Sequence, residues 1–238
     1  MRKRKYLIGA TLGVLGALVV SGTAMAGQPT TQKLTVSFSP KKQDKKKFGG
    51  VSVRLITDTA YDNFAASPSS SEALFTFPKD LKLGINGNLP PCTQTTLQSS
   101  ASTAAVQAAC GGSIVGQGSA LVNAGQAPFT APNPVLVVSG GRNVLYVWVS
   151  IQGGTTVVLN GQITSRTLLV TGLPNVPGVD LTLFDVTLNK KKTSKSTFYA
   201  MARCSGKKKW TTSENVKFHN GQQLSASSTQ KCAQKKSK

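Results

Sequence analysis

Alternation of apolar and polar residues with a period of two runs through most of the chain after its first 30 residues. It is clearest in segments 33–39 (KLTVSFS) and 51–57 (VSVRLIT), which are rich in β-branched residues and therefore predict strands. Similar runs predict further strands at 72–77, 82–85, 113–122, 143–152, 155–159, 162–170, 181–188, 197–203, 215–218 and 224–228. The pattern therefore predicts an all-β protein.

Two glycines mark the best-defined turn of the sequence. Gly153 and Gly154 separate VLYVWVSIQ from TTVVLN, and hairpin turns of two residues need the positive φ that glycine adopts without a steric penalty. Both faces of the strand before this turn are substantially apolar, so we expect a central strand with one face in the core and the other partly covered by a loop or a second layer. Tyr146 and Trp148 on that second face either pack there, which is the commoner fate, or form an exposed ligand platform.

Segment 93–110 (TQTTLQSSASTAAVQAAC) departs from the two-residue period, because its Leu and Ala residues recur at helical spacing. It predicts one or two short helices. Ser99, Ser100 or Ser102 is expected to cap the second of them, since a serine hydroxyl accepts hydrogen bonds from the free amides of a first turn.

The remaining segments predict connections rather than further domains. The proline-rich segment 128–134 predicts a long loop and segment 174–178 a turn, and neither has the length or composition of an interdomain linker. The expected architecture is a two-sheet β-sandwich with Greek-key or jelly-roll connections and a short helical insert between Cys92 and Cys110.

The N-terminus has the three parts of a secretory signal peptide. Basic residues at 2–5 precede an apolar run at 6–20, and a small-residue triplet ends at Ala26. We therefore expect residues 1–26 to be a signal peptide and residues 27–238 to form a single exported domain with a basic C-terminal tail. The location predicted is extracellular or in the cell envelope, without a transmembrane anchor after cleavage. Retention of the apolar run as an anchor is the alternative.

Four cysteines in an exported chain predict disulfides, because oxidising compartments preserve them. Three connectivities are possible, and proximity along the sequence favours Cys92 with Cys110 and Cys204 with Cys232. A zinc site is the alternative, but such sites need Cys or His in close pairs. The sequence has no CxxC and a single histidine, so it predicts neither a metal site nor a cofactor.

The charge is strongly one-signed, with 28 Lys plus Arg against 8 Asp plus Glu. Beyond residue 26 the chain keeps 24 of these basic residues and all 8 acidic ones, a net charge of +16. The lysines cluster in segments between apolar runs: Lys41, Lys42, Lys45, Lys46 and Lys47, then Lys190, Lys191 and Lys192, then Lys207, Lys208 and Lys209. These clusters either bind a polyanion or keep the protein soluble and protect its strand edges from pairing.

Assembled catalytic motifs are absent from the sequence. A hydrolase nucleophile needs an adjacent base, and His219 lies in the turn-like sequence HNG. A carboxylate-dependent hydrolase needs two converging acids, and the pairs available are Asp58 with Asp62, Asp180 with Asp185, and Glu72 with Glu214. Their spacing predicts no convergence. We therefore expect a protein that is not an enzyme.

Four motifs of the sequence belong together: FPKDLKLGINGNLPPC at 77–92, ACGGSIVGQGSALV at 109–122, YAMARC at 199–204 and TQKC at 229–232. With these motifs the chain resembles a family of exported actinobacterial β-sandwich proteins that has two cysteine pairs and no assigned function. The resemblance runs roughly from residue 75 to 232, with a variable middle. It implies a β-sandwich fold, supports the two cysteine pairs and carries no catalytic residues.

Three functions are consistent with these observations. The first is a non-catalytic envelope-associated or secreted binding module whose basic loops contact an anionic cell-wall polymer, without specific recognition of nucleic acid. The second is a carbohydrate- or lipid-binding β-sandwich with an aromatic pocket formed by Tyr146, Trp148 or Trp210. The third, a carboxylate-dependent hydrolase, has the least support.

Overall fold

A computed structural model describes residues 28–62, 68–85, 88–124, 127–128, 132–151, 154–175 and 179–235, and it confirms the all-β class. The strands in this part of the chain are β1 (Pro29–Ser39), β2 (Lys42–Gln43), β3 (Gly49–Gly50), β4 (Ser52–Tyr61), β5 (Ser70–Thr76), β6 (Leu81–Leu83), β7 (Ile114–Ala124), β8 (Ala127–Pro128), β9 (Asn133–Gly141), β10 (Val144–Ile151), β11 (Thr155–Ile163), β12 (Thr167–Thr171), β13 (Val179–Leu188), β14 (Ala200–Ala202), β15 (Lys209–Phe218), β16 (Gln223–Lys231) and β17 (Ala233–Gln234). The helices are α1 (Gln94–Gln98) and α2 (Thr103–Cys110), and a 3-10 turn follows at Gly111–Ser113. The predicted signal peptide lies outside the described residues.

One antiparallel hydrogen-bonded path contains the long strands, in the order β1-β4-β13-β7-β9-β10-β11-β12-β5-β15-β16, with β8 beside β7. The two ends of this path meet. The amide of Val36 in β1 donates to Ser228 Oγ in β16 at 2.9 Å, and the amide of Phe38 donates to Gln230 Oε1 at 2.7 Å. The layers that the sequence predicts as two sheets are therefore continuous, and they enclose one core.

The main core is built from the inward positions of nearly every long strand. In β15 burial alternates strictly, so that Trp210, Thr212, Glu214, Val216 and Phe218 point inward. The alternation shows that the two-residue period of the sequence is also the period of burial.

Strand β10 is apolar on both faces because both faces are covered. Leu145, Val147 and Val149 belong to the main core. Trp148 lies on the other face, in a second cluster that includes Leu97 of α1. The prediction of a central strand that is covered on both faces is confirmed.

The helical insert supplies that second layer. Cys92 and Cys110 form a disulfide across it with their Cα atoms 5.6 Å apart, as the sequence predicted. Ser102 caps α2, because its hydroxyl accepts a hydrogen bond from the amide of Ala105 at 3.1 Å. The indole of Trp148 donates to the carbonyl oxygen of Ser100 at 3.2 Å, which fixes the insert to the sheet.

Several sequence predictions about the strands are wrong. Strand β9 was not predicted, and the proline-rich segment assigned to a loop overlaps both β8 and the start of β9. The reason is that β9 is buried on both faces, so its sequence NPVLVVSGG is a continuous apolar run without alternation. Segment 162–170 was predicted as one strand, but its first residues belong to β11.

The hairpin between β10 and β11 is confirmed, but three residues connect its strands rather than the two that the sequence predicts. Ile151 pairs with Thr155 in an antiparallel register, and the amide of Gly154 donates to the carbonyl oxygen of Ile151 at 3.3 Å. Gly154 has the positive φ that the turn requires, +88°, whereas Gly153 lies outside the described residues.

Candidate functional site

The strand registers bring the lysine-rich segments to one end of the sheet. Ser39 pairs with Ser52 where β1 joins β4, and in the next pair of strands Val53 lies opposite Leu188, the last residue of β13. On the other side of β1, Phe38 bonds to Gln230, one residue before the end of β16. The connection 40–51, the segment after β13 and the chain after β16 therefore leave the sheet at the same end.

Ten exposed lysines gather at this end, and we call their surface the basic end. They are Lys41, Lys42, Lys45, Lys46, Lys47, Lys207, Lys208, Lys209, Lys231 and Lys235.

The backbone joins these lysines although they come from distant parts of the chain. A disulfide between Cys204 and Cys232, with Cα atoms 5.9 Å apart, links the segment before β15 to the segment after β16. Strand β17 then pairs in parallel with β2 in the 40–51 connection. The amide of Cys204 also donates to the carbonyl oxygen of Asp44 at 2.8 Å. The second disulfide predicted from the sequence is thus confirmed, and it lies at the centre of the basic end.

Asp44 is the acidic residue within the basic end, and its carboxylate is engaged by the backbone. It accepts hydrogen bonds from the amides of Lys47 and Lys46, at 2.8 and 2.7 Å. These bonds lower the pKa of Asp44, and the charges of Lys47 and Lys235 lower it further. Because Lys47 and Lys235 both act on one carboxylate, the first and last lysine segments lie side by side.

The lysine side chains of the basic end are not paired with acids. Among the described residues the ion pairs are Arg54 with Asp185, Arg203 with Asp80, and Lys217 with Glu72. None of them uses a lysine of the basic end, so its positive charge is open to a partner.

A partly buried ion pair lies beneath the basic end. Arg203 Nε contacts Asp80 Oδ1 at 2.9 Å, and the Arg203 guanidinium also lies 4.9 Å from the ring centre of Phe48. Burial tends to raise the pKa of Asp80, but hydrogen bonds from Ser205 and Arg203 outweigh burial and hold the pKa below its usual range. Asp80 is therefore ionised at neutral pH and fixes Arg203 beside Cys204.

The cluster Lys190, Lys191 and Lys192 borders the basic end. The ammonium of Lys190 lies 5.2 Å from the ring centre of Phe198, and that ring packs on Gly50 of β3 so closely that a Cβ at position 50 would overlap it. Lys190 and Lys192 are exposed, and Lys191 is half-buried. The structure thus brings all three predicted lysine clusters to the same side of the molecule.

The opposite end of the sheet has few basic residues. Lys33 in β1 pairs in register with Asp58 of β4, and Lys217 forms an ion pair with Glu72. Asp62 Oδ1 accepts a hydrogen bond from the amide of Gln28 at 2.5 Å. The charge of the described residues is therefore concentrated at one end.

Trp148 and Trp210 pack inside the protein, as the favoured interpretation of the sequence has it, and do not form the alternative exposed ligand platform. Trp148 and Trp210 are fully buried and lie in different clusters, Trp148 beneath the helical insert and Trp210 in the main core. Trp210 packs edge-on against Phe38, with ring centres 5.0 Å apart, and its indole donates to the carbonyl oxygen of Arg203. Tyr146 is half-buried against the second cluster. The strand alternation points both tryptophans toward packed layers rather than toward solvent.

Glu72 and Glu214 do not converge on one site, and the side chain of Asp180 lies outside the part of the chain that the structure describes. Asp185 is paired with Arg54, and Glu72 with Lys217 on the surface. Glu214 instead lies inside the core. His219 is exposed in a turn, where its amide donates to the carbonyl oxygen of Ser69.

Neither a metal site nor a membrane-spanning helix is found among the described residues. No group of three His, Cys, Asp or Glu side chains there has the arrangement of a metal site. None of the helices in that part of the chain has the length and apolarity required to cross a bilayer.

No family model, curated protein or solved structure matches the chain. The resemblance to exported actinobacterial proteins therefore stays a prediction.

Sequence reasoning missed the internal position of Glu214. Its carboxylate lies in the core and accepts hydrogen bonds at Oε2 from Gln32 Nε2 at 3.0 Å and Thr57 Oγ1 at 3.1 Å. The sequence does indicate this position, because in KWTTSENVKF Glu214 lies an even number of residues from Trp210 and Val216 and therefore on the same face of a strand. The sequence predicts a strand only at 215–218, which begins one residue after Glu214, so the prediction does not include this residue.

Proposed function

We propose that the protein is exported and acts as a non-catalytic module whose basic end binds an anionic polymer of the cell envelope. The single observation that carries this proposal is the concentration of ten exposed, unpaired lysines around β2, β17 and the Cys204–Cys232 disulfide.

The cellular location rests on two features. The two disulfides indicate a compartment other than the cytoplasm, because the cytoplasm keeps thiols reduced. The basic and apolar segments at the N-terminus, with their small-residue triplet, add the signal-peptide pattern.

The physical basis of binding is the electrostatic field of clustered lysines. A polyanion that contacts several lysines releases its condensed counterions, so affinity falls steeply as salt rises. Lysine ammonium groups on flexible stems act as point charges, and this suits a repeating anionic backbone better than a single defined ligand. The lysines lie on loops and strand ends, where they would contact backbone phosphates rather than base edges, so we expect no sequence-specific recognition of nucleic acid.

The alternative role of the lysines is solubility alone. Solubility depends on net charge and is served as well by lysines spread over the surface. The concentration of the lysines at one end, held together by a disulfide and a parallel strand pair, favours a binding role.

The proposal is tested by a sedimentation assay of the purified oxidised protein with isolated cell-envelope material at about 50 and about 500 mM salt, a range over which the screening length shortens several-fold. Binding at the lower salt that disappears at the higher salt supports the proposal. Binding that resists salt, or no binding at either concentration, contradicts it.

A further inference from the structure

An apolar cavity lies inside the sheet and contains a single titratable group. It has a volume of about 90 Å³, and its walls come from strands all around the sheet, including Val53, Leu145, Leu168 and Val170. A second cavity of about 70 Å³ adjoins the first, and Leu159, Leu173, Leu181 and Phe184 line both. The two volumes together are close to the cavity of about 150 Å³ that holds benzene in an engineered protein core.

Glu214 belongs to the polar part of the wall, which also includes Gln32, Thr57, Thr59 and Ser70. Glu214 is buried, with 2% of its surface exposed. Both hydrogen bonds from Gln32 and Thr57 go to Oε2, and Oε1 has no hydrogen-bond partner among the described residues. A buried carboxyl oxygen without a partner is costly, so a group in the cavity that bonds to Oε1 gains binding energy.

We propose that the cavity binds a small apolar molecule that carries one hydroxyl group, with the hydroxyl bonded to Glu214 Oε1 and the hydrocarbon against the aliphatic wall. A hydroxyl suits this position because it both donates and accepts. Burial raises the pKa of Glu214 to about 7, although the hydrogen bonds from Gln32 and Thr57 act to lower it. Both protonation states of Glu214 therefore occur near neutral pH. A hydroxyl bonds to the carboxylate as a donor and to the carboxylic acid as an acceptor.

Other ligand classes fit the wall less well. A carboxylic acid would have to enter protonated, and at neutral pH its neutral form is scarce. An ammonium ligand would bury a second ion in an apolar cavity, where desolvation offsets much of the attraction to Glu214. A sugar has many hydroxyls, and most of the wall is apolar, with its polar side chains limited to Gln32, Thr57, Thr59, Ser70 and Glu214.

The test uses hexan-1-ol as the probe and the complete oxidised protein with ¹³C-labelled Leu and Val methyl groups. The expected result is a saturable shift of the Leu145, Leu168 and Val170 methyl signals in the cavity wall. The methyl signals of Leu97 and Val106, which lie in the second cluster beneath the helical insert, serve as the internal control and should not move. Absence of a saturable shift in the wall methyls of the wild-type protein overturns the proposal.

The role of Glu214 is tested by comparing hexan-1-ol with hexane in two variants. Glu214→Met removes the carboxyl, and Glu72→Met removes the surface carboxyl of the Lys217 ion pair as the matched control. Hexan-1-ol affinity should fall about tenfold in Glu214→Met, the loss of one hydrogen bond to a charged group, while hexane affinity does not fall. Glu72→Met should bind both probes as the wild type does. Equal losses for hexan-1-ol and hexane in Glu214→Met overturn the proposal, and the wild-type methyl shifts decide it if that variant does not fold.

Discussion

The backbone amide of Lys235 donates a hydrogen bond to the carbonyl oxygen of Gln43 at 2.8 Å. Two residues earlier, the amide of Ala233 donates to the carbonyl oxygen of Lys41 at 3.0 Å, so the last strand of the chain lies beside the first lysine segment. The Cys204–Cys232 disulfide is adjacent to this strand pair. The shape of the basic end therefore depends on this disulfide.

Removal of the Cys204–Cys232 disulfide should reduce both stability and envelope binding. The variant with Cys204→Ser and Cys232→Ser leaves no free thiol from this pair. The disulfide closes a loop of 28 residues, and on the chain-entropy model such a cross-link contributes about 3 kcal/mol to the free energy of unfolding. Chemical denaturation of the oxidised protein measures the stability loss, and sedimentation with envelope material measures the binding loss.

The second disulfide provides the control for that experiment. The variant with Cys92→Ser and Cys110→Ser opens a loop of 18 residues and should lose a similar free energy of unfolding. Residues 88–114 carry no charged side chain, so envelope binding should be retained. Equal loss of binding in both variants would mean that stability, rather than the arrangement of the lysines, controls binding.

Asp80→Asn should destabilise the protein at neutral pH, because it leaves the partly buried Arg203 without its counter-charge. We expect a loss of about 1 to 2 kcal/mol, since Arg203 is about a third exposed and solvent screens part of the interaction.

The pH dependence of the Asp80 effect follows from the lowered pKa. A carboxyl whose pKa is lower in the folded protein stabilises the fold above its unfolded pKa, and this contribution disappears as pH falls through the folded pKa. The difference between wild type and Asp80→Asn should therefore shrink below about pH 4. Denaturation curves over the acid range measure it, with Asp58→Asn, an exposed strand residue outside the three ion pairs, as the control. A difference that stays constant with pH would rule out the ion pair as its cause.

Much of the fold was predictable because it depends on local patterns. The two-residue alternation identified β1, β4 and β13, and the helical spacing of alanines identified the insert. The cysteine pairs followed from proximity along the sequence. Strand β9 escaped prediction because burial on both faces removes the alternation that identifies a strand.

The candidate site was only partly predictable, because it depends on pairings between distant strands. The lysine clusters are visible in the sequence, but the registers of β1 with β4 and of β15 with β16 bring them to one end. The burial of Trp210 follows from which face of β15 meets Phe38, and a single strand pattern does not reveal that. The unpartnered oxygen of Glu214 depends on Gln32 and Thr57, which come from two other strands.

The buried Glu214 should make the protein less stable as pH rises toward neutral. Its pKa is about 7 in the folded protein, above the ordinary value of 4.5, so between these two values the folded state holds a proton that the unfolded state has released. Stability therefore falls as pH rises through this window and levels off above it, by about 3 kcal/mol in total. Glu214→Gln should remove this slope while Glu72→Gln keeps it, as measured by chemical denaturation from pH 4 to pH 8 (about one point per unit). A slope that persists in Glu214→Gln would exclude this carboxyl as its source.

The central claim, that the basic end binds an anionic envelope polymer, is tested most directly with two variants of equal net charge. One variant has Lys46→Gln and Lys207→Gln, both exposed residues of the basic end, and the other has Lys33→Gln and Lys217→Gln at the opposite end of the sheet. The measurement is the affinity for isolated envelope material as a function of salt. We predict that the basic-end variant binds more weakly and that its salt dependence, the slope of log K against log salt, falls by about 2, roughly one per lysine, whereas the opposite-end variant matches the wild type. Equal weakening of both variants, or no change in either, would contradict the claim.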